Sequence, residues 1–191
     1  MTTQIQQRGW SHSDEAASGP DVAQRFLTAM SSLAATVTVL AATSPSGQRN
    51  GMTATAVCSL STEPPMLVAC VNRSSNLATT LTRTGWFSVN LLSRDQESVA
   101  ADFAGRGGLS GEDRFRDEQW EQHPTGAPVL KEVSASCVCH VANSLQQGTH
   151  LVVVGAVHDV LLPSGEPLTP LMYHLRQFTT VNARPIKGEP Q

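Results

Sequence analysis

Absences bound this sequence before any motif does. The N-terminal stretch MTTQIQQRGWSHSDEAASGP is polar and carries no apolar core of the kind a secretory leader needs, so export is not expected. No segment approaches the roughly 20 apolar residues of a membrane-spanning helix. The most apolar early run, Leu33 to Ala42, is shorter and is interrupted by Thr36 and Thr38, and it reads as a buried strand. Basic runs are missing too: 13 Lys and Arg stand against 16 Asp and Glu, for a net charge of -3. That balance argues against nucleic acid or an anionic membrane as partner and leaves small molecules. Cys58, Cys70, Cys137 and Cys139 form no CxxC pair and have no His-rich cluster beside them, so reduced, buried thiols and no metal are expected. The segment GRGGLSG misses the G-x-G-x-x-G spacing at Ser110, and neither a P-loop nor an HExxH pattern occurs, which disfavours a doubly wound nucleotide fold. Internal repeats and low-complexity linkers are also absent.

What is present suits one well-buried domain: 191 residues, 40% of them hydrophobic. The organisation expected is a disordered tail over 1–19, a domain over 20–181 and a second tail over 182–191. Asp21 is the expected N-cap of a helix to Ser31, whose stripe of Val22, Phe26, Leu27 and Met30 should cover a sheet. A period of two then predicts strands over 36–42, 52–61 and 66–71. A helix over 76–84, a strand over 86–91 and a capping box at Ser93 and Gln96 follow. The charged segment 105–128 is expected to be a loop with a short helix near 113–120. Strands over 134–145, 150–162 and 171–180 complete the count. Mostly antiparallel strands with helices outside predict a small closed or split β-barrel.

Two stretches carry the chemistry. In GMTATAVCSLSTEPPMLVACV, from Gly51 to Val71, Met52, Ala54, Ala56, Cys58 and Leu60 fall on one face and Thr53, Thr55, Val57, Ser59 and Ser61 on the other. The second face is small and rich in hydroxyls, and a flat ring with carbonyl and nitrogen acceptors, such as a flavin, suits it. One strand later, Asn72, Arg73, Ser74, Ser75 and Asn76 stand before a helix, where free N–H groups and the helix dipole favour an anion. The plainer reading of these Ser and Asn residues is an N-cap.

Together, GMTATAVCSLSTEPPMLVACVNRSSN, GWFSVNLLSRDQESVAADFAG, GAPVL, GTHLVVVGAV and PLMYH resemble the small flavin reductases that supply two-component flavin-dependent monooxygenases, over about Phe26 to Phe178. The resemblance implies a mainly β homodimer, a split β-barrel of the FMN-binding type with peripheral helices, that reduces FAD or FMN with NADH or NADPH. It leans to FAD and NADH and implies a partner flavin-dependent monooxygenase. Thr53, Ala54, Thr55 and Ala56 would line the isoalloxazine edge, with Ser59 and Leu60 nearby. Asn72, Ser74, Ser75 and Asn76 would hold ribityl and phosphate groups, and Phe103 and Arg106 would meet the outer flavin. His150, matching the family's Gly-Asp-His element, would sit beside the nicotinamide as a positioning group, with Tyr173 and His174 near the same cleft. This chain departs from the family pattern at Thr55, Leu77, Thr149 and Arg176, where Asn, Thr, Asp and Gly are more usual. A flavin carrier on the same barrel without reductase activity is the alternative. His123, His140 and His158 carry no such match, and surface or structural roles are expected for them. An Arg-rich, Lys-poor basic set without a targeting signal fits a cytoplasmic bacterial protein.

Overall fold

The chain's alternating β-branched runs form one large antiparallel sheet, seen in a computed structural model that describes residues 19–181. The expected tails 1–19 and 182–191 lie, apart from Gly19, outside the described residues. Helix α1 (Pro20–Ser31) leads into the short strand β1 (Ala35–Thr36) and then β2 (Thr38–Thr43), β3 (Arg49–Ala54), β4 (Val57–Thr62) and β5 (Pro65–Asn72). After α2 (Asn76–Thr84) come β6 (Trp86–Leu91), a 3-10 turn Arg94–Gln96, α3 (Glu97–Phe103) and a second 3-10 turn Gly111–Arg114. The remainder is β7 (Trp120–Gln122), β8 (Pro128–Leu130), β9 (Ala135–Gln147), β10 (His150–Leu161), β11 (Leu171–His174) and β12 (Gln177–Thr180).

The main sheet has seven strands in the order β3-β2-β6-β9-β10-β5-β4. Its two edge strands, β3 and β4, are neighbours in sequence, separated only by Thr55 and Ala56. That link is three Cα steps, at most about 11 Å, so the sheet must curl until the end of β3 lies within that reach of the start of β4. No ladder joins them, and the barrel is split rather than closed. The single strand expected over 52–61 is therefore two, and the bend exchanges their faces. Before it Met52 and Ala54 pack into the core; after it Val57 does, while Cys58 and Leu60 are exposed.

The curled face holds the main core of Leu40, Leu67, Val71, Phe87, Val89, Cys139 and Val153, closed at one end by Leu77 and Leu81 of α2. The outer face of β2 carries Val39 and Ala41 into a second core with Val99, Phe103, Phe115 and Trp120. Burial on both faces explains the unbroken apolar run of β2. Gly51 makes the second core possible: a Cβ there would lie 2.7 Å from Phe103 Cε1. Between the layers sits Asn90, 0% exposed. Its Nδ2 donates to Val39 O at 3.0 Å and Ser88 Oγ at 2.9 Å, and its Oδ1 accepts from Leu130 N at 3.0 Å and Ser136 Oγ at 2.8 Å. One amide thus ties β2, β6, β8 and β9.

Other expectations are corrected. Gly19, not Asp21, is the N-cap of α1; Pro20 takes the first helical position and Asp21 lies in the first turn, paired with Arg25 at 3.5 Å. The stripe of α1 does not cover the sheet: Phe26 is 61% and Leu27 54% exposed. The short helix expected near 113–120 lies earlier, as the 3-10 turn Gly111–Arg114, and Trp120 instead opens the β7–β8 hairpin. The last strand breaks into the β11–β12 hairpin, because Leu175 and Arg176 take positive φ of 49° and 62°. Positive φ disfavours a β-carbon, which accounts for the glycine usual at the position of Arg176.

Replacing Asn90 by Ala leaves the Leu130 N–H and the Ser136 hydroxyl without their acceptor in the core, and is expected to lower unfolding stability by ~3 kcal/mol. Urea denaturation measures this; a loss under about 1 kcal/mol would mean the network is dispensable.

Candidate functional site

The site begins where β5 ends. Asn72 is exposed and closes a side-chain turn: its Oδ1 accepts from Ser74 N at 3.0 Å and Ser74 Oγ at 2.8 Å. Ser75 caps α2, its Oγ accepting from Ala78 N at 3.2 Å while donating to Asn72 O at 2.7 Å. The capping reading is thus correct for Ser75, and its hydroxyl is committed to the fold. The side chains of Ser74 and Asn76 are exposed beside the first N–H groups of the helix, which have no intrahelical partner. Leu77, in place of the family's Thr, is 1% exposed and belongs to the core.

Register brings the next motif alongside. His150, at the start of β10, is the Cα partner of Asn72. The turn before it is clamped to the same segment: Arg73 N donates to Thr149 O at 3.0 Å, and Arg73 Nη1 to Gly148 O at 3.0 Å. Thr149 Oγ1 shares a hydrogen bond of 2.9 Å with His150 Nδ1, so a neutral hydroxyl fixes the exposed ring. Local sequence marks Arg73 as an anion donor and Thr149 only as a departure from the family pattern; their pairing joins two turns distant in sequence and has no local signal.

The seam of the sheet lies on the other flank of β5. Ala56 O accepts from Cys70 N at 3.0 Å, two residues before Asn72 and so about 7 Å along the strand. Thr55 and Ala56 are exposed, and among the described residues neither N–H donates to another backbone group. Ser59 and Leu60 are exposed just beyond, where β4 slips by one residue against β5. Thr53 and Ala54 are more enclosed: Thr53 Oγ1 donates to Ala100 O at 2.7 Å, and Ala54 is 8% exposed.

The remaining expected residues are spread. Arg106 is exposed just after α3 and forms no ion pair among the described residues. The Phe103 ring is 3% exposed and packs on Phe115 at 4.9 Å, seating α3 against β3. Tyr173 and His174 lie on β11, which pairs with β1 and β12 and not with the main sheet. Within one chain they are not brought to His150. His140 and His158 flank the Trp86 ring at 4.9 and 4.8 Å, and His123 bonds Asp159 at 3.1 Å. No cluster of three or more metal-ligating side chains occurs among the described residues, and no helix among them is long and apolar enough to cross a membrane.

Compared with known proteins, residues 30–182 match the family described as flavin reductase like domain. The chain is 38% identical over 168 residues to a flavin reductase (NADH) from Kitasatospora aureofaciens, covering 87% of this chain and 84% of that one. It is 38% identical over 158 residues to the reductase component of an FADH(2)-dependent resorcinol hydroxylase from a Rhizobium species, covering 82% and 86%. Its fold is similar to that of BorF, the flavin reductase component of a bacterial two-component tryptophan halogenase, with TM-score 0.76, 28% identity, and 85% and 99% of the two chains covered.

The cysteines divide by environment. Cys58 is exposed on edge strand β4, which corrects the expectation of four buried thiols. Burial pushes the Cys139 thiol up to about 12, with Cys137 adding to the shift, and burial also raises Cys137. At pH 8 a chromogenic disulfide reagent is expected to modify Cys58 first and Cys139 only on unfolding, because the thiolate is the nucleophile. Modification of Cys139 in the native protein would contradict the burial described.

Proposed function

The chain belongs to the flavin reductase like domain family, and from that membership we propose that it is an NADH-dependent flavin reductase supplying diffusible reduced flavin to a separate flavin-dependent monooxygenase, with FAD preferred to FMN. The observation that carries this reading is the register that sets His150 opposite Asn72, one strand from the open Thr55–Ala56 seam. The names of the relatives, a flavin reductase (NADH) and the reductase component of an FADH(2)-dependent hydroxylase, support it.

The residues present suit a flavin. Thr55 and Ala56 offer free N–H groups at a seam with no large side chain, so a flat ring with acceptor edges can approach the backbone. The N-terminus of α2, with Ser74 and Asn76, suits its phosphate, and Arg106 is free to pair with the outer charge. When bound, the flavin takes a hydride from the nicotinamide and carries the electrons away. The protein's part is alignment, so no nucleophile or general base is required. His150 acts as the positioning group for the nicotinamide, its ring orientation set by Thr149.

The reading includes a homodimer. Leu33 at 63%, Leu145 at 63% and Leu162 at 71% exposed, with the bare stripe of α1, support a surface that a second copy covers. The separation of β11 from the main sheet supports Tyr173 and His174 reaching the cleft from that copy. Residues 20–181 are proposed as the catalytic unit of a cytoplasmic protein, with the segments on either side as tails.

The test is loss of the NAD(P)H absorbance with FAD, FMN or riboflavin and NADH or NADPH in turn. Turnover that depends on added flavin is expected; oxidation in no combination would overturn the proposal in favour of a flavin carrier. His150→Ala is expected to raise the KM for NADH roughly ten-fold, as for one lost hydrogen bond, while flavin affinity holds. Unchanged kinetics with both coenzymes would remove His150 from the site.

A further inference from the structure

Strands β9 and β10 are joined by Gly148 and Thr149 alone, with Gln147 and His150 as the last pair of their ladder. So short a turn bonds only its flanking residues, and its two central carbonyls have no partner within the hairpin. Arg73 takes both: its backbone N donates to Thr149 O at 3.0 Å, and its Nη1 donates to Gly148 O at 3.0 Å. Packing does not fix this turn, since residues 142–150 are all exposed. His150 depends on the turn twice. Its backbone continues directly from Thr149, and its ring is held through Nδ1 by Thr149 Oγ1 at 2.9 Å.

By sequence position Arg73 is offered to an anion, next to Ser74 and the start of α2. In the fold its side chain instead reaches the turn that precedes His150. An exposed imidazole placed by one hydroxyl on an unpacked turn is no better located than the turn itself, and for a reaction that depends on alignment a misplacement of about 1 Å slows the chemistry. A guanidinium suits the task, because its planar fork loses less freedom for each bond it forms than a lysine ammonium does. We infer that Arg73 is a positioning residue for the nicotinamide coenzyme: it fixes the Gly148–Thr149 turn, acts through His150 and is not a ligand of the flavin. The inference rests on the reading of His150 as the group that places the nicotinamide, and extends that reading to the residue that places His150.

The experiment combines steady-state kinetics with NADH at saturating flavin and titration of FMN and riboflavin, followed by quenching of flavin fluorescence. It compares the wild-type chain with Arg73→Met, Arg73→Lys, His150→Ala and the double variant Arg73→Met/His150→Ala. Arg73→Met keeps the apolar stem and removes the donors; it is expected to raise the KM for NADH roughly five-fold, as for one lost hydrogen bond, while the ratio of FMN to riboflavin affinity holds. Arg73→Lys, which keeps a donor within reach of Gly148 O, is expected to recover most of that loss. Because Arg73 acts through His150, the double variant is expected to match His150→Ala alone. An unchanged KM in Arg73→Met, or a double variant that shows the product of the two single effects, would overturn the inference and leave the reductase reading intact. A loss of FMN affinity in Arg73→Met that spares riboflavin would make Arg73 a donor to the flavin phosphate and overturn it likewise. A KM unchanged by His150→Ala would overturn it together with the role given to His150, and no NADH oxidation by the wild type would overturn the reductase reading as well.

Discussion

Two residues hold this structure to its shape. Thr55 and Ala56 join the first and last strands of a seven-stranded sheet, and so short a link forces the sheet into a trough whose two edges are held together at one corner. The rest follows from that curvature. A trough needs filling, and Phe87, Leu40, Leu77 and Leu81 fill it. It also leaves a seam where neither edge completes the other's hydrogen bonds, and the unpaired N–H groups of the link lie there. The seam, the end of β5 and the start of β10 then form one line, from Ala56 through Cys70 to Asn72 and His150. A closed barrel would have used those backbone groups internally and left no such line.

Much of this was legible in the sequence where local chemistry decides local shape. The bounds of α2 match the expectation because its ends are marked: Ser75 caps the start, and Gly85, at a φ of 74°, accepts the left-handed turn at the end. The capping box at Ser93 and Gln96 formed as its spacing predicts. What escaped were features without a local signature. The bend at Thr55 is invisible because alternation continues across it while the partner strand changes. The turn at Leu175 and Arg176 is built from residues that ordinarily avoid it. The β7–β8 hairpin has only three residues a side, and its β8 half is buried throughout, so no alternation marks it in the sequence.

The site was legible as a set of residue types and less so as a set of free groups. A sequence states which side chains can donate or accept, and only tertiary structure states which are already engaged. Thr53 and Ser75 look like equals of Thr55, yet their hydroxyls are engaged by Ala100 O and the α2 backbone, and that of Ser74 by the Asn72 side chain. Phe103 looks like a ring beside a ligand and is a wedge between α3 and β3.

Helix α1 introduces a different kind of dependence. Its C-terminal end is tied to the fold by the bond from Leu175 N to Ser31 O at 2.7 Å, while its apolar stripe faces outward. Surface that only another molecule can cover makes folding free energy a function of how much of that molecule is present. In the proposed homodimer, where a second copy covers that stripe, there is no single melting temperature: dilution alone shifts the balance between the covered and bare forms by mass action, and the abundance of the protein becomes one of the terms in its own stability.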